Sequence, residues 1–262
     1  MFEDLQSKKA FICDMDGVIY HGNKLLPGVE LFVNWLDTTG KEYIFLTNSS
    51  ERSPHELCQK LKRLGLDVPA QRFYTSALAT ASFLKSQIPG GSAYVIGEAG
   101  LTNALYDVGF AMNDVNPDYV VVGESRTYTI EKIEKAVQLV LKGAKLIGTN
   151  PDVTGPSEKG IVPATRALIS PIEMATGRQA YFIGKPNPLI MRTARQKLGV
   201  HSEESVIIGD RMDTDIIAGI ESGMDTVLVL SGVTTEITMT EFPYRPNYVF
   251  EGVGDMIEHF NK

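Results

Sequence analysis

Two aspartates flank a single methionine in Cys13-Asp14-Met15-Asp16-Gly17, directly after an apolar run. In extended backbone alternate side chains share a side, so Asp14 and Asp16 can approach one ligand. Carboxylates that close repel unless a cation or a proton lies between them. A second acidic cluster, Gly209-Asp210-Arg211-Met212-Asp213-Thr214-Asp215, comes after another apolar run. Each has an ordinary explanation. The first reads as a turn, and the second as a helix start, where acids meet the positive end of the helix dipole. A helix start accounts for Asp213 and Asp215, but less well for two distant runs that both end in acids. Convergence on one divalent cation accounts for both. Carboxylate and carbonyl oxygens suit Mg²⁺, which keeps some of its waters and meets phosphate oxygens.

A phosphate site also needs donors and positive charge. Thr47 and Asn48 close the run EYIFLT, placing a hydroxyl and an amide at a third such end; a turn or a helix cap is the alternative. Lys185 sits in Ile183-Gly184-Lys185-Pro186-Asn187-Pro188, after the apolar AYFI. A lone lysine is usually solvated, but glycine before it and prolines after it hold this one in a defined loop.

Elements must bring these ends together. Residues 9–13, 42–47, 205–209 and 226–230 are short apolar runs that read as strands buried on both faces. Residues 29–40 read as a helix that stops on glycine, and 53–65 as one with Ser53 as N-cap, Pro54 at the first helical position and Glu56 completing a capping box. Strand and helix alternate, which implies a parallel sheet with right-handed crossovers. Ligands of such sheets bind at the carboxyl ends of strands, where all four candidate segments fall. In the middle of the chain, residues 92–97, 118–123 and 144–148 read as three more strands, with helices near 99–108, 129–142 and 163–177. These extend one large sheet or build a second α/β domain; pattern alone does not separate the two.

In chain order the motifs run strand-DMDG, strand-TN, strand-GKP and strand-GDRMDTD. This order resembles the four-motif signature of the haloacid dehalogenase superfamily, and DMDGV, TNSS, GKPN and GDRMDTDI resemble its NagD-like, capped phosphatases. The resemblance implies a Rossmann-like parallel-sheet core formed by residues 1–78 and 180–262, with an α/β cap inserted at 79–179. It implies hydrolysis of small phosphate monoesters, nucleoside monophosphates or sugar phosphates, through an aspartyl-phosphate on Asp14. Asp16 would protonate the leaving oxygen and then deprotonate the attacking water. Asp14, the backbone carbonyl of Asp16, and Asp210 would hold Mg²⁺. Thr47, Asn48 and Lys185 would bind phosphoryl oxygens, with Asp215 and Asp213 steadying Lys185 or the metal. Asn150 and Asp152 match the substrate-facing loop of the cap, although Asn-Pro-Asp is equally good turn chemistry. The second motif departs from the usual Thr-Asn-Asn by carrying Ser49, which bears on substrate fit. Related ion pumps carry Thr where Asp16 stands here. Members with this insertion often pair through it, which leaves a homodimer open. A phosphotransferase or mutase on the same scaffold, or a non-catalytic phosphate-binding relative, is the rival reading.

Bulk properties agree. At 262 residues the chain can bury a substantial core. Its net charge of −7 argues against non-specific nucleic-acid binding, and no apolar run is long enough to span a bilayer. Two cysteines, Cys13 and Cys58, are too few for a disulfide framework and fit free thiols in a reducing cytoplasm. No phosphate-binding P-loop, dinucleotide fingerprint or serine-hydrolase elbow is present. His21 reads as a solvent-facing loop residue, because Asp16 already fills the acid–base role.

Overall fold

The computed structural model describes residues 2–157 and 160–260. The chain divides into two compact units. One comprises Met1–Thr47, Cys58–Tyr74 and Lys185–Lys262; the other comprises Asn48–Leu57 and Thr75–Gly184.

The first unit is built on a six-stranded sheet in the order Tyr248–Phe250, Asp225–Val229, Ser205–Gly209, Ala10–Cys13, Glu42–Thr47 and Phe73–Thr75. The four central strands are parallel, with Cys13 opposite Phe45 on one side and Ile208 on the other. Every residue of Ala10–Cys13 and of Ser205–Gly209 is buried. That explains why they read as continuous apolar runs rather than as alternation. The Val29–Thr38 helix buries Val29, Phe32, Val33 and Leu36, a stripe of period 3.6. Asn187 caps the Pro188–Leu198 helix by accepting from the Leu189 N–H at 3.0 Å, with Pro188 at the first turn. A small hairpin, Tyr20–His21 with Lys24–Leu25, comes after the first acidic motif.

The second unit has its own five-stranded sheet, in the order Tyr181–Phe182, Lys145–Gly148, Tyr119–Val122, Ser92–Ile96 and Ala111–Met112, all pairs parallel. The middle of the chain therefore builds a separate sheet and does not extend the first. Its core joins Ile96, Val120 and Val122 of the sheet to Ala136, Leu139 and Val140 of the Ile130–Leu141 helix and Ile169 and Ile172 of the Thr165–Thr176 helix. Each large apolar side chain among these contributes about 1.5–3 kcal/mol by leaving water. The expected capping box forms: the Ser53 N–H donates to Glu56 Oε2 at 2.8 Å, and the Glu56 N–H to Ser53 Oγ at 3.3 Å. Both thiols are free, Cys13 fully and Cys58 partly buried. Among the described residues, no helix is long and apolar enough to cross a membrane.

Candidate active site

Three neighbouring strands of the first unit deliver the chemistry. Asp14 leaves the end of Ala10–Cys13, and its N–H donates to the Ile208 carbonyl at 2.8 Å. Thr47 ends Glu42–Thr47, and Asp210 comes directly after Ser205–Gly209. Lys185 lies after Gly184, and its peptide bond to Pro186 is cis.

Lys185 is 2% exposed. Its Nζ donates to Asp14 Oδ1 at 2.6 Å and to Asp215 Oδ1 at 2.6 Å, with the Leu46 carbonyl at 3.5 Å. Burial alone would drain its charge, but the two carboxylates together outweigh burial and hold its pKa above the usual lysine range. The ammonium is permanent over any physiological pH.

Asp14, Asp210 and Asp215 each offer an oxygen within 4.8 Å of the others. Burial, and then the neighbouring carboxylates Asp14 and Asp215, push Asp210 up to about 8. Burial pushes Asp215 up to about 6, against the pull of Lys185. Asp14 is also raised, by burial first. Three carboxylates thus face one ammonium, and the cluster lacks positive charge.

The donor set fits a hard divalent cation: all oxygen, carboxylate-rich and partly open. The members differ in readiness. Asp215 accepts from Lys185 with Oδ1 and from the Arg211 N–H with Oδ2 at 3.1 Å, so both of its oxygens are engaged. Asp210 accepts only the Val233 N–H, at Oδ2 and 2.7 Å, leaving Oδ1 without a donor among the described residues. Asp210 therefore keeps the freest oxygen of the three, whereas Asp14 and Asp215 each already accept from Lys185.

Two glycines make room for Asp210. A Cβ on Gly17, which has φ +81°, would lie 2.5 Å from Asp210 Oδ2, and one on Gly232 would lie 2.0 Å from it. Only a residue without a side chain lets the backbone pass that close.

Asp213 is not brought into this cluster. Its carboxylate takes the Arg211 side chain at 3.0 and 2.8 Å and stays half exposed. The two acids lie two residues apart on a widened helical turn, in which the Ile216 N–H bonds the Arg211 carbonyl five residues back, and so take opposite sides of it, Asp215 inward and Asp213 outward.

Asp16 sits at the rim, its side chain 42% exposed, with His21 Nδ1 3.6 Å from Oδ1. Burial raises its pKa, while His21 and Lys60 pull the other way. A carboxyl that keeps its proton longer is suited to donating one. His21 is exposed, as expected, yet it faces Asp16. Lys60 was not legible as a site residue. It is 9% exposed and lies with Nζ 3.4 Å from the centre of the Tyr20 ring.

The remaining predicted residues, Asn48, Asn150 and Asp152, meet within the second unit. The Asn48 side-chain amide donates to Asp152 Oδ2 at 3.0 Å. Asn150 is wholly buried, and its amide donates to the Asn48 carbonyl and to Glu124 Oε1, each at 2.7 Å. Asn150 is thus a bracing residue, not an exposed contact of its loop. Sequence reading missed Glu124 altogether.

The haloacid dehalogenase-like hydrolase profile matches residues 11–111, and a second, HAD-hydrolase-like profile matches 182–256. The chain is 48% identical over 249 residues to a dihydroxyacetone phosphatase of Corynebacterium glutamicum strain R, covering 95% of this chain and 90% of that one. It is 43% identical over 248 residues to the ribonucleotide monophosphatase NagD of Escherichia coli K12, covering 95% and 98%. The solved NagD structure superposes with a TM-score of 0.90 at 42% identity, covering 95% and 98%. A 4-nitrophenylphosphatase structure from Thermotoga maritima superposes with a TM-score of 0.94 at 34% identity, covering 97% and 98%.

Proposed function

This chain belongs to the haloacid dehalogenase-like hydrolases and is a phosphatase of that family; from that premise we propose that it hydrolyses small phosphate monoesters through a covalent phosphoryl intermediate on Asp14, with a bound Mg²⁺. The observation that carries the reading is the Asp14–Lys185–Asp215 chain, in which one buried ammonium bridges two carboxylates at 2.6 Å each.

Asp14 attacks phosphorus in line with the ester oxygen. Its carboxylate is anionic and so is the substrate, and Lys185 offsets that repulsion at the attacking group. Asp16 gives its proton to the departing alkoxide, then takes one from the water that attacks the phosphoaspartate. Thr47 donates to phosphoryl oxygens together with Lys185, and Asn48, the next residue along the chain, joins them. Asp14, the Asp16 carbonyl and Asp210 would hold Mg²⁺, which would supply positive charge at the phosphoryl group. The inserted residues 79–179 are assigned the selection of the leaving group, with Asp152 as a contact.

The relatives' names point to small metabolites: dihydroxyacetone phosphate for one and ribonucleoside monophosphates for the other. Both classes are proposed for this chain, and nucleic acid and membrane are not. The test is phosphate release from both esters and from p-nitrophenyl phosphate, with Mg²⁺ and with chelator. Release that chelator abolishes and Mg²⁺ restores supports the reading. A folded protein that releases no phosphate from any of them overturns it.

A further inference from the structure

A half-buried carboxylate without a cationic partner stands in the second unit. Glu124 accepts the Ser50 N–H at 3.0 Å and the Ser50 hydroxyl on Oε2, and the Asn150 amide at 2.7 Å on Oε1. No cationic side chain pairs with it among the described residues. Burial raises its pKa against the pull of these donors. Such a group costs stability that a neutral one would not, and local departures of this kind gather where function demands them.

The wiring around it is directional. An acceptor-only Glu124 forces the Asn150 amide nitrogen toward itself. That orientation turns Asn150 Oδ1 toward the Asp152 N–H, which donates to it at 3.2 Å, and leaves the second amide hydrogen for the Asn48 carbonyl at 2.7 Å. Asn48 in turn donates to Asp152 Oδ2 at 3.0 Å. Thr149 Oγ1, donating to Ser50 Oγ at 3.2 Å, closes the far side. One carboxylate thus fixes the amide orientation that ties Asn48 to Asp152, although Glu124 lies 26 residues from Asn150 and 74 from Ser50.

We propose that Glu124 is a positioning residue for substrate binding: through Asn150 it sets the orientation of Asn48 and Asp152. This rests on the reading that those two residues contact the phosphate ester. A role confined to folding would lower stability and leave the kinetics of the folded protein unchanged.

Glu124→Ala, Asn150→Ala and the double variant test this against the wild type. The readouts are kcat and KM for p-nitrophenyl phosphate, inhibition by inorganic phosphate, and the thermal midpoint. Loss of fixed binding geometry should raise KM and the phosphate Ki together, each by about tenfold, with kcat within about threefold, because ground and transition state lose the same contact. The double variant should match the worse single one, since both cut one chain of contacts. Folded single variants with unchanged KM and Ki, or additive effects in the double variant, overturn the proposal. Should Glu124→Ala fail to fold, Glu124→Gln keeps the volume but leaves either the Ser50 N–H or the Asn150 amide without an acceptor. It should shift KM in the same direction, and an unshifted KM there overturns the proposal equally. A wild type that hydrolyses nothing contradicts the phosphatase reading instead, and phosphate affinity measured by calorimetry then still decides the part played by Glu124.

Discussion

Lys185 and Asp215 form an ion pair that solvent does not reach: Nζ to Oδ1 is 2.6 Å, with side-chain exposures of 2% and 0%. The pair sets how much of the ammonium remains for the nucleophile. In Asp215→Asn, Lys185 loses one of its two carboxylates, and the ammonium is drawn onto the attacking oxygen of Asp14. The expected fall in kcat/KM is at least about 100-fold, the scale of losing one preorganised charge contact. Steady-state kinetics checks this; an unchanged kcat/KM would make the pair structural only.

Removing the ammonium is a different experiment. Lys185→Met leaves Asp14, Asp210 and Asp215 facing one another without that cation. Breaking a buried pair from one side costs about 3–5 kcal/mol. The loss should be large at pH 7.5 and smaller at pH 5, where the raised carboxyls can take up protons. Urea unfolding at both pH values reads it, and an equal loss at both would contradict the cluster's electrostatics.

Metal dependence rests on the same groups. Burial, ahead of any neighbour, pushes Asp210 up to about 8 and Asp215 up to about 6. A raised carboxyl contributes stability that is complete below its unfolded value and is lost as pH rises through the folded one. The metal-free protein should therefore lose stability between about pH 4 and 8. Mg²⁺ replaces the missing protons, so its stabilising shift in thermal midpoint should grow across that window. A shift that does not change with pH would place the ion elsewhere.

Gly232→Ala tests the room left for Asp210. The added methyl would lie 2.0 Å from Oδ2 and 2.6 Å from the Asp210 Cβ, so the whole Asp210 side chain and its backbone must shift. Gly232 is exposed, and the fold should survive. Mg²⁺ affinity, by calorimetry, should fall at least about tenfold, the cost of misplacing one ligand. Unaltered affinity would remove Asp210 from the ligand set.

The strand-end acids were legible because a strand buried on both faces announces itself by composition, and the next residue along the chain must lie at the sheet's edge. Asp14 and Asp210 were found that way; Thr47 closes its own strand, and Lys185, three residues after the partly exposed Tyr181–Phe182 strand of the second sheet, was found from its flanking glycine and prolines. Whether the middle strands joined the first sheet was not legible from pattern, because buried parallel strands carry one signature whichever neighbour they pair with; the family resemblance alone implied an inserted α/β cap, and a separate sheet is found there. Asp213 and Asp215, two residues apart on one helical turn, take opposite sides of it, and composition does not say which side faces Lys185. Lys60 reads as solvated on an amphipathic helix; the Tyr20 ring beneath it comes from 40 residues earlier in the chain. Glu124 carries the same signal, an acid directly after the strand-like run 118–123, but it was missed because its partners Ser50 and Asn150 lie in other segments.

The covalent step is the centre of the account. The most direct measurement is an acid quench during the first turnover of a radiolabelled phosphate ester, with the labelled peptide then mapped. The account predicts phosphoryl label on the peptide that carries Asp14, no label in Asp14→Asn, and less than about one-thousandth of wild-type turnover in that variant. Full turnover with no label on Asp14, or an Asp14→Asn protein that keeps its activity, would contradict it.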